Sequence, residues 1–279
     1  MVKWGCCISP WSVGGDPDAT VARTAAMLAQ LADAGFAYAE LPATSLAQMP
    51  AEAMPELVRA VEQSGTPVLA CNSFVPATIP LVGPQRDLEQ IRDYVTLALG
   101  RCAQMGVRTV VFGSGTARRV PDGLDRAVAL RQIGEFLGVC NDVGARIGVD
   151  TVIEPLRKAE SNVINRVAEA ADLARGLNLP HIRVLADSYH MAAEREAYAV
   201  LDGVADLLGH VHVANARERR YPGHDPRDVD DLADMFGHLQ RGGYGGGVSI
   251  ECRFDSFVEE LPRALDTLRD AWKGAAGRA

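Results

Sequence analysis

Short apolar runs alternate with longer amphipathic ones from one end of the chain to the other. That is the pattern left by repeated strand and helix units whose parallel strands are buried on both faces. The apolar runs predict strands at Lys3 to Ser9, Tyr38 to Leu41, Val68 to Asn72, Thr109 to Phe112, Arg146 to Glu154, Arg183 to Asp187, Leu208 to Val213 and Val248 to Glu251. Between them, apolar residues recur at helical spacing over Thr20 to Asp33, Ala51 to Gln63, Leu88 to Gln104, Leu124 to Val143, Ile164 to Ala174, Met191 to Leu207, Val229 to Gln240 and Val258 to Trp272. Gly35, Gly106, Gly144 and the pair Gly242-Gly243 fall where a helix has to close before the next strand. Eight such units in 279 residues fit an α/β fold, the (β/α)8 or TIM barrel, as a single domain over residues 1–279 with a frayed tail at 273–279. No low-complexity linker divides the chain, and Pro76 to Gln85 and Ala214 to Asp228 are long enough to be functional loops.

In such a barrel the C-terminal ends of the strands converge on one face. Four segments deliver ionisable groups there: IEPLRKAE from Ile153, DSYH from Asp187, HVHVAN from His210 and SIEC from Ser249. Glu154, Asp187 and Glu251 close strands five, six and eight, and residues 97 positions apart (251 minus 154) can share one ion. His210 and His212 lie two apart in strand seven, so both point to one face; one can be a ligand and the other its supporting partner. Taken singly, Asp187 reads as the cap of the next helix and the histidines as hydrogen-bonded core residues. Their recurrence at successive strand ends points to one divalent ion. Three carboxylates and an imidazole favour Mn²⁺ or Mg²⁺ over zinc, with Co²⁺ as a substitute. Glu40 and Asn72 close strands two and three; each faces the barrel mouth and binds substrate there, or else forms a surface ion pair and a turn respectively.

Charge narrows the partners. With 28 basic and 36 acidic residues the net charge is -8, which repels nucleic-acid phosphates. Six cysteines lie scattered in apolar segments without a CxxC pair, which argues against a disulfide framework or structural zinc and fits a reducing compartment. Cys6, Cys7 and Cys71 read as core residues. The first residues run straight into a strand without a charged leader, and no 18-residue apolar run occurs, so the expectation is a soluble cytoplasmic protein with no membrane partner. Gly113-Ser114-Gly115 lacks the lysine of a phosphate-binding loop and reads as a tight turn, and the glycines from Gly242 to Gly247 read as a helix stop. His181, His224 and His238 have no supporting pattern and are read as structural.

The segments GCCISPW, AGFAYAELP, ACNSFVP, VVFGSG, IEPLRKAESN, LADSYHM, GHVHVAN and GGYGGGVSIE together resemble the xylose isomerase-like TIM-barrel superfamily, in its sugar isomerase and epimerase branch that includes D-tagatose and D-psicose 3-epimerases. The resemblance spans nearly the whole chain. It implies that Glu154, Asp187, His212 and Glu251 hold one divalent metal, most simply Mn²⁺, with Glu154 and Glu251 also serving as the proton-transferring pair. It also implies that Glu160, six residues past Glu154, and His190, three past Asp187, contact the sugar. An arginine ahead of Pro222-Gly223 does so in relatives; Arg217, Arg219 and Arg220 all precede that pair, and counting back favours Arg219. Arg157, Lys158 and Ala159 depart from the family's usual Asn, Arg, aromatic pattern, which leaves the substrate open.

The expected reaction is epimerisation or isomerisation of a ketose or keto-polyol. A base removes a proton α to the carbonyl, the enediolate is stabilised by the ion, and the proton returns to the opposite face or the neighbouring carbon. The alternative is a metal-dependent lyase or dehydratase on the same barrel, distinguished by loss of a leaving group. A DNA-repair endonuclease would need a histidine-rich zinc cluster and a basic face, whereas this chain puts Glu40 and Asn72 on strands two and three and carries a net charge of -8. A sugar-binding subunit would hold metal without turnover. Dimers or tetramers are common among relatives.

Overall fold

The computed structural model describes residues 2–11 and 15–276. Strands β1 (Lys3–Cys7), β2 (Tyr38–Pro42), β3 (Val68–Asn72), β4 (Thr109–Phe112), β5 (Asp150–Ile153), β6 (Ile182–Asp187), β7 (Leu208–Val213) and β8 (Gly247–Ile250) pair in parallel in sequence order, and β8 closes on β1. Around them run helices α1 (Pro17–Ala34), α2 (Ala43–Gln48), α3 (Met54–Ser64), α4 (Leu88–Gln104), α5 (Arg126–Ile147), α6 (Val167–Leu177), α7 (Ser188–Ala193), α8 (Asp228–Arg241) and α9 (Phe257–Ala275). The result is the expected eight-stranded barrel. Local chemistry sets several boundaries. Asp16, Asp87 and Asp125 accept backbone N–H groups at the starts of α1, α4 and α5, while Gly35 and Gly148 close α1 and α5 in the left-handed conformation.

Most of the apolar core lies between the barrel and the helices. Inside the barrel, Val111, Val152 and Leu185 make a small separate apolar cluster on β4, β5 and β6. The opposite interior wall is polar: Tyr38 and Glu40 from β2, His210 and His212 from β7, and Ser249 from β8, all buried. These pairs stand two apart on their strands, as inward-pointing residues must.

Several boundaries differ from the periodicity, α2 was not expected, and three of the differences have a clear physical cause or consequence. Strand five was expected from Arg146, but α5 continues through Ile147. Gly144 therefore does not stop that helix; a Cβ there would come within 2.3 Å of the Val149 carbonyl, so glycine is required for close approach. Met191 to Leu207 was expected as one helix. Instead α7 ends at Ala193, Arg195 turns at φ 52°, and a 3₁₀ turn follows at Tyr198–Gly203. The break frees Glu196 to accept the N–H groups of Val167 and Ala168 at the start of α6, a tertiary gain that apolar spacing does not register. Of the expected frayed tail, residues through Ala275 belong to α9, and 277–279 lie outside the described residues. Among the described residues no helix is long and apolar enough to cross a membrane.

Candidate metal centre

The sheet itself sets the positions of the ligand-type residues. Glu154 and Glu251 stand one residue past β5 and β8, and their N–H groups still donate to Phe112 and Val213 across the ladder at 3.1 Å each. Asp187 ends β6 directly beside His212 in register. One candidate ligand atom from each of Glu154, Asp187, His212 and Glu251 lies within 4.8 Å of all the others. His212 Nδ1 is 3.3 Å from Glu251 Oε2, 3.4 Å from Glu154 Oε1 and 4.0 Å from Asp187 Oδ2. Glu154 Oε1 and His212 Nδ1 are buried without a hydrogen-bond partner. Each such orphan costs about 1–3 kcal/mol, so the pair marks a place where something else is meant to sit. A divalent cation fits the oxygen-rich set.

Asp187 caps a helix and still turns one oxygen to the centre. Its Oδ1 accepts the N–H groups of Tyr189 (2.7 Å) and His190 (3.0 Å) and caps α7, which leaves Oδ2 turned toward His212. The capping role therefore leaves the ligand role open to it.

Neighbouring residues hold the carboxylates in place. The chain turns after Gly113 as expected, with Ser114 at φ 41°, and a Cβ on Gly113 would lie 2.3 Å from Glu154 Oε2, so this glycine also leaves the space for that carboxylate. Arg118, fully buried, donates to the carbonyls of Phe112 (3.1 Å) and Glu154 (2.8 Å) and ties the β4 and β5 loops together. Nothing in the sequence marked Arg118; its guanidinium donates to backbone carbonyls, not to a side chain at a patterned spacing.

Electrostatically the two glutamates differ. Burial and the charge of Glu251 push the Glu154 carboxyl up, although His212 opposes the shift. Burial acts on Glu251 too, yet the charges of His212 and Arg219 hold its carboxyl down at about 2. Two carboxylates with separated proton affinities facing one site are what an acid and base pair needs.

Of the residues expected to bind substrate, Glu160, Arg219 and the two glutamates line a cavity of about 290 Å³ at the mouth, with Ser73, Val75 and Ser114 on its other wall. Arg219 donates to Glu251 Oε2 at 2.6 Å, lies 3.7 Å from Glu160 and stacks on the Tyr189 ring at 5.1 Å. Its backbone takes the left-handed conformation, φ 54°, inside a turn tied by Asn215, whose Oδ1 accepts the N–H groups of Arg217 and Glu218. Arg217 turns to Asp231 and Arg220 to Asp255, so the loop sends Arg219 to the mouth and its neighbours outward. Arg157, off the family pattern, pairs with Glu160 at 2.6 Å and stacks on Tyr189 at 5.0 Å.

His190 is buried beside the centre, its Nδ1 accepting the Arg157 N–H at 3.3 Å and its Nε2 4.0 Å from Glu154 Oε1 without a hydrogen bond. Asn72 reaches the centre through Glu251, donating to Oε1 at 3.2 Å. Glu40 differs from the expectation that it faces the mouth. It is fully buried beneath His212, and both oxygens are engaged, Oε1 by His212 Nε2 and Oε2 by His210 Nε2 and Ser249 Oγ. It touches the imidazole and not the cavity. Cys7 also lies beside Glu40 and His212, but burial pushes its thiol well up, so a thiolate ligand there is disfavoured. His181, His224 and His238 sit away from the centre, against Asp150, Glu218 and Asp202.

Comparison with known proteins identifies the family. Residues 28–273 match the family described as xylose isomerase-like TIM barrel, and the chain belongs to that family. It is 29% identical over 205 residues to 3-dehydro-D-guloside 4-epimerase of Escherichia coli K12, covering 71% of this chain and 76% of that protein. It is 27% identical over 285 residues to L-ribulose 3-epimerase of Methylomonas sp. DH-1, covering 96% and 92%. Its fold is similar to the crystal structure of D-psicose 3-epimerase from Clostridium cellulolyticum H10, with a TM-score of 0.81 at 19% identity over 97% of this chain and 99% of that one.

Proposed function

We propose that this protein is a divalent-metal-dependent epimerase or isomerase of a keto-sugar, working by proton transfer at the carbon α to the carbonyl. The observation that carries the reading is the convergence of Glu154, Asp187, His212 and Glu251, with two of their ligand atoms buried and unpaired. The relatives named above support it, since a ketose 3-epimerase and a 3-dehydro-glycoside 4-epimerase both invert a carbon adjacent to a ketone. A bound divalent ion, Mn²⁺ in our reading with Mg²⁺ or Co²⁺ able to substitute, supplies Lewis-acid polarisation of the carbonyl and its neighbouring hydroxyl. Glu154 and Glu251 flank that position: one carboxylate removes the α proton and the other returns one from the opposite face. Arg219, Glu160 and His190 orient the hydroxyls, and Asn72 steadies Glu251. The cavity suits a small sugar, and the carboxylates of Glu160 and Glu251 around its one lining arginine, Arg219, favour an unphosphorylated one. We read the enzyme as cytoplasmic, and as a homodimer or homotetramer.

The test is a screen of free ketoses and 3-keto-glycosides with Mn²⁺ in D₂O, followed by product identification. The expected product has the substrate's composition with deuterium at the inverted or isomerised carbon. A product lighter by water or a larger leaving group would reject this reading in favour of a lyase.

A further inference from the structure

The buried polar wall of the barrel interior has a direction. Glu40 offers only acceptor oxygens when ionised, and the Ser249 hydroxyl donates to its Oε2 at 2.7 Å. With the Ser249 proton committed, the Tyr38 hydroxyl 2.9 Å away is the donor to Ser249 Oγ. His210 Nε2, 2.9 Å from Oε2, and His212 Nε2, 3.0 Å from Oε1, must each carry hydrogen toward the carboxylate. Three protons point at Glu40, and that of Tyr38 points at the Ser249 oxygen behind them. A neutral His212 is thereby left with its Nδ1 lone pair facing Glu154, Asp187 and Glu251.

The surrounding strands make room for this arrangement. A Cβ on Gly5 would fall 2.2 Å from the Tyr38 ring, and one on Gly247 would fall 2.5 Å from its hydroxyl. Tyr38 and His210 line a cavity of about 290 Å³ at the strands' N-terminal end, so the column reaches from the metal centre toward the opposite face. Burying an unpaired carboxylate in a barrel interior costs several kcal/mol, and three donors plus two glycine gaps are spent on keeping this one.

We propose that Glu40 is a positioning residue of the metal centre, fixing the tautomer and ring orientation of His212 from behind, and that Ser249, His210 and Tyr38 fix Glu40 in turn. The proposal rests on the metal reading above. A carboxylate behind a ligating imidazole raises its basicity and holds its aim, and removing one typically weakens metal binding about 10- to 100-fold.

Titration calorimetry with Mn²⁺ and Co²⁺ on the wild type and on Glu40→Gln, Ser249→Ala and Tyr38→Phe separates the possibilities, alongside circular dichroism and the visible spectrum of the Co²⁺ form. Glu40→Gln is expected to raise Kd about 10- to 100-fold and to change the Co²⁺ spectrum in a folded protein, with smaller shifts in the same direction for the other two. A folded Glu40→Gln with wild-type Kd and spectrum would overturn the role of Glu40 while leaving the metal reading intact. If Glu40→Gln does not fold, wild-type Kd in both Ser249→Ala and Tyr38→Phe would overturn it instead. A wild type that binds neither ion would overturn the metal reading and this one together.

Discussion

The two halves of the barrel do different work. The ends of β5 to β8 present Glu154, Asp187, His212 and Glu251, each with an atom turned to a common point. The ends of β1 to β4 present Cys7, Glu40, Asn72 and Gly113; Cys7 lies beside His212, and the other three each fix a ligand-type residue of the other half. Glu40 takes the His212 N–H, Asn72 donates to Glu251, and Gly113 leaves the space that Glu154 fills. Asp187 is the exception, held by the helix it caps. The comparison teaches that the centre is chemically one-sided but mechanically shared: one half carries the charge, the other fixes where it points.

The largest effect should come from the charged half. Asp187→Ala removes a ligand and a helix cap; Asp187→Asn keeps an acceptor for the Tyr189 and His190 N–H groups while losing the charge. Both should abolish stoichiometric metal binding and lower kcat/KM by on the order of 10³-fold. Only the alanine should also lose about 1 kcal/mol of stability. Metal analysis with denaturant melts reads both, and tight stoichiometric metal in either variant would break the comparison.

Next comes the supporting half, through a residue with no polar atom in its side chain. Gly113→Ala would drive a methyl into Glu154 Oε2, and displacing a carboxylate by about 1 Å can cost on the order of 10²-fold in rate. The measurement is kcat with metal occupancy; wild-type kcat would mean that Glu154 has freedom to move. Smaller again is Glu160→Gln, at the rim. It should keep the metal and raise KM about 10-fold, the size of a lost charge-assisted contact. Loss of metal instead would move Glu160 into the centre itself.

Legibility in the sequence followed the same division. Glu154, Asp187, Glu251 and the pair His210 and His212 stood out because ionisable residues at the ends of apolar runs are few and repeat with the βα period, while the choice of His212 within the pair came from the family resemblance. The strands at Val68–Asn72, Thr109–Phe112 and Leu208–Val213 were legible for the same reason, as apolar runs with clear ends. The supporting half was harder to read. Glu40 closing an apolar run looks the same whether it faces the mouth or lies under His212, because strand alternation gives a side and not a depth. Gly113 looks like a turn, since the need for an absent Cβ depends on where a residue 41 positions away (154 minus 113) places its carboxylate. Arg118 and Ser249 act through contacts that sequence distance conceals.

The finest distinction concerns the proton that the ion replaces. In the metal-free protein burial disfavours a charged His212, but the charges of Glu40 and Glu251 more than compensate and raise it well above its ordinary 6.5. Glu40 is correspondingly held well below 4.5: burial alone would raise it, and the His212 and His210 charges overcome that. The signs fix the pH behaviour of the metal-free protein. A raised imidazole contributes stability fully present below about 6.5 and lost as pH rises through its folded value; a depressed carboxylate contributes stability present above about 4.5 and lost as pH falls through its own. The metal-free protein should therefore be most stable in between, and should melt earlier toward alkaline pH. Metal binding runs the other way, because the ion must displace the proton on Nδ1 while the Nε2–H toward Glu40 stays in place. Each pH unit gained below the folded value of His212 should tighten Kd about tenfold, with about one proton released per ion. Calorimetry in buffers of different ionisation enthalpy counts that proton. A Kd that stays flat between about pH 6 and pH 8, with no proton released, would mean that His212 is already neutral and that the supporting half holds it in its ligating form before the ion arrives.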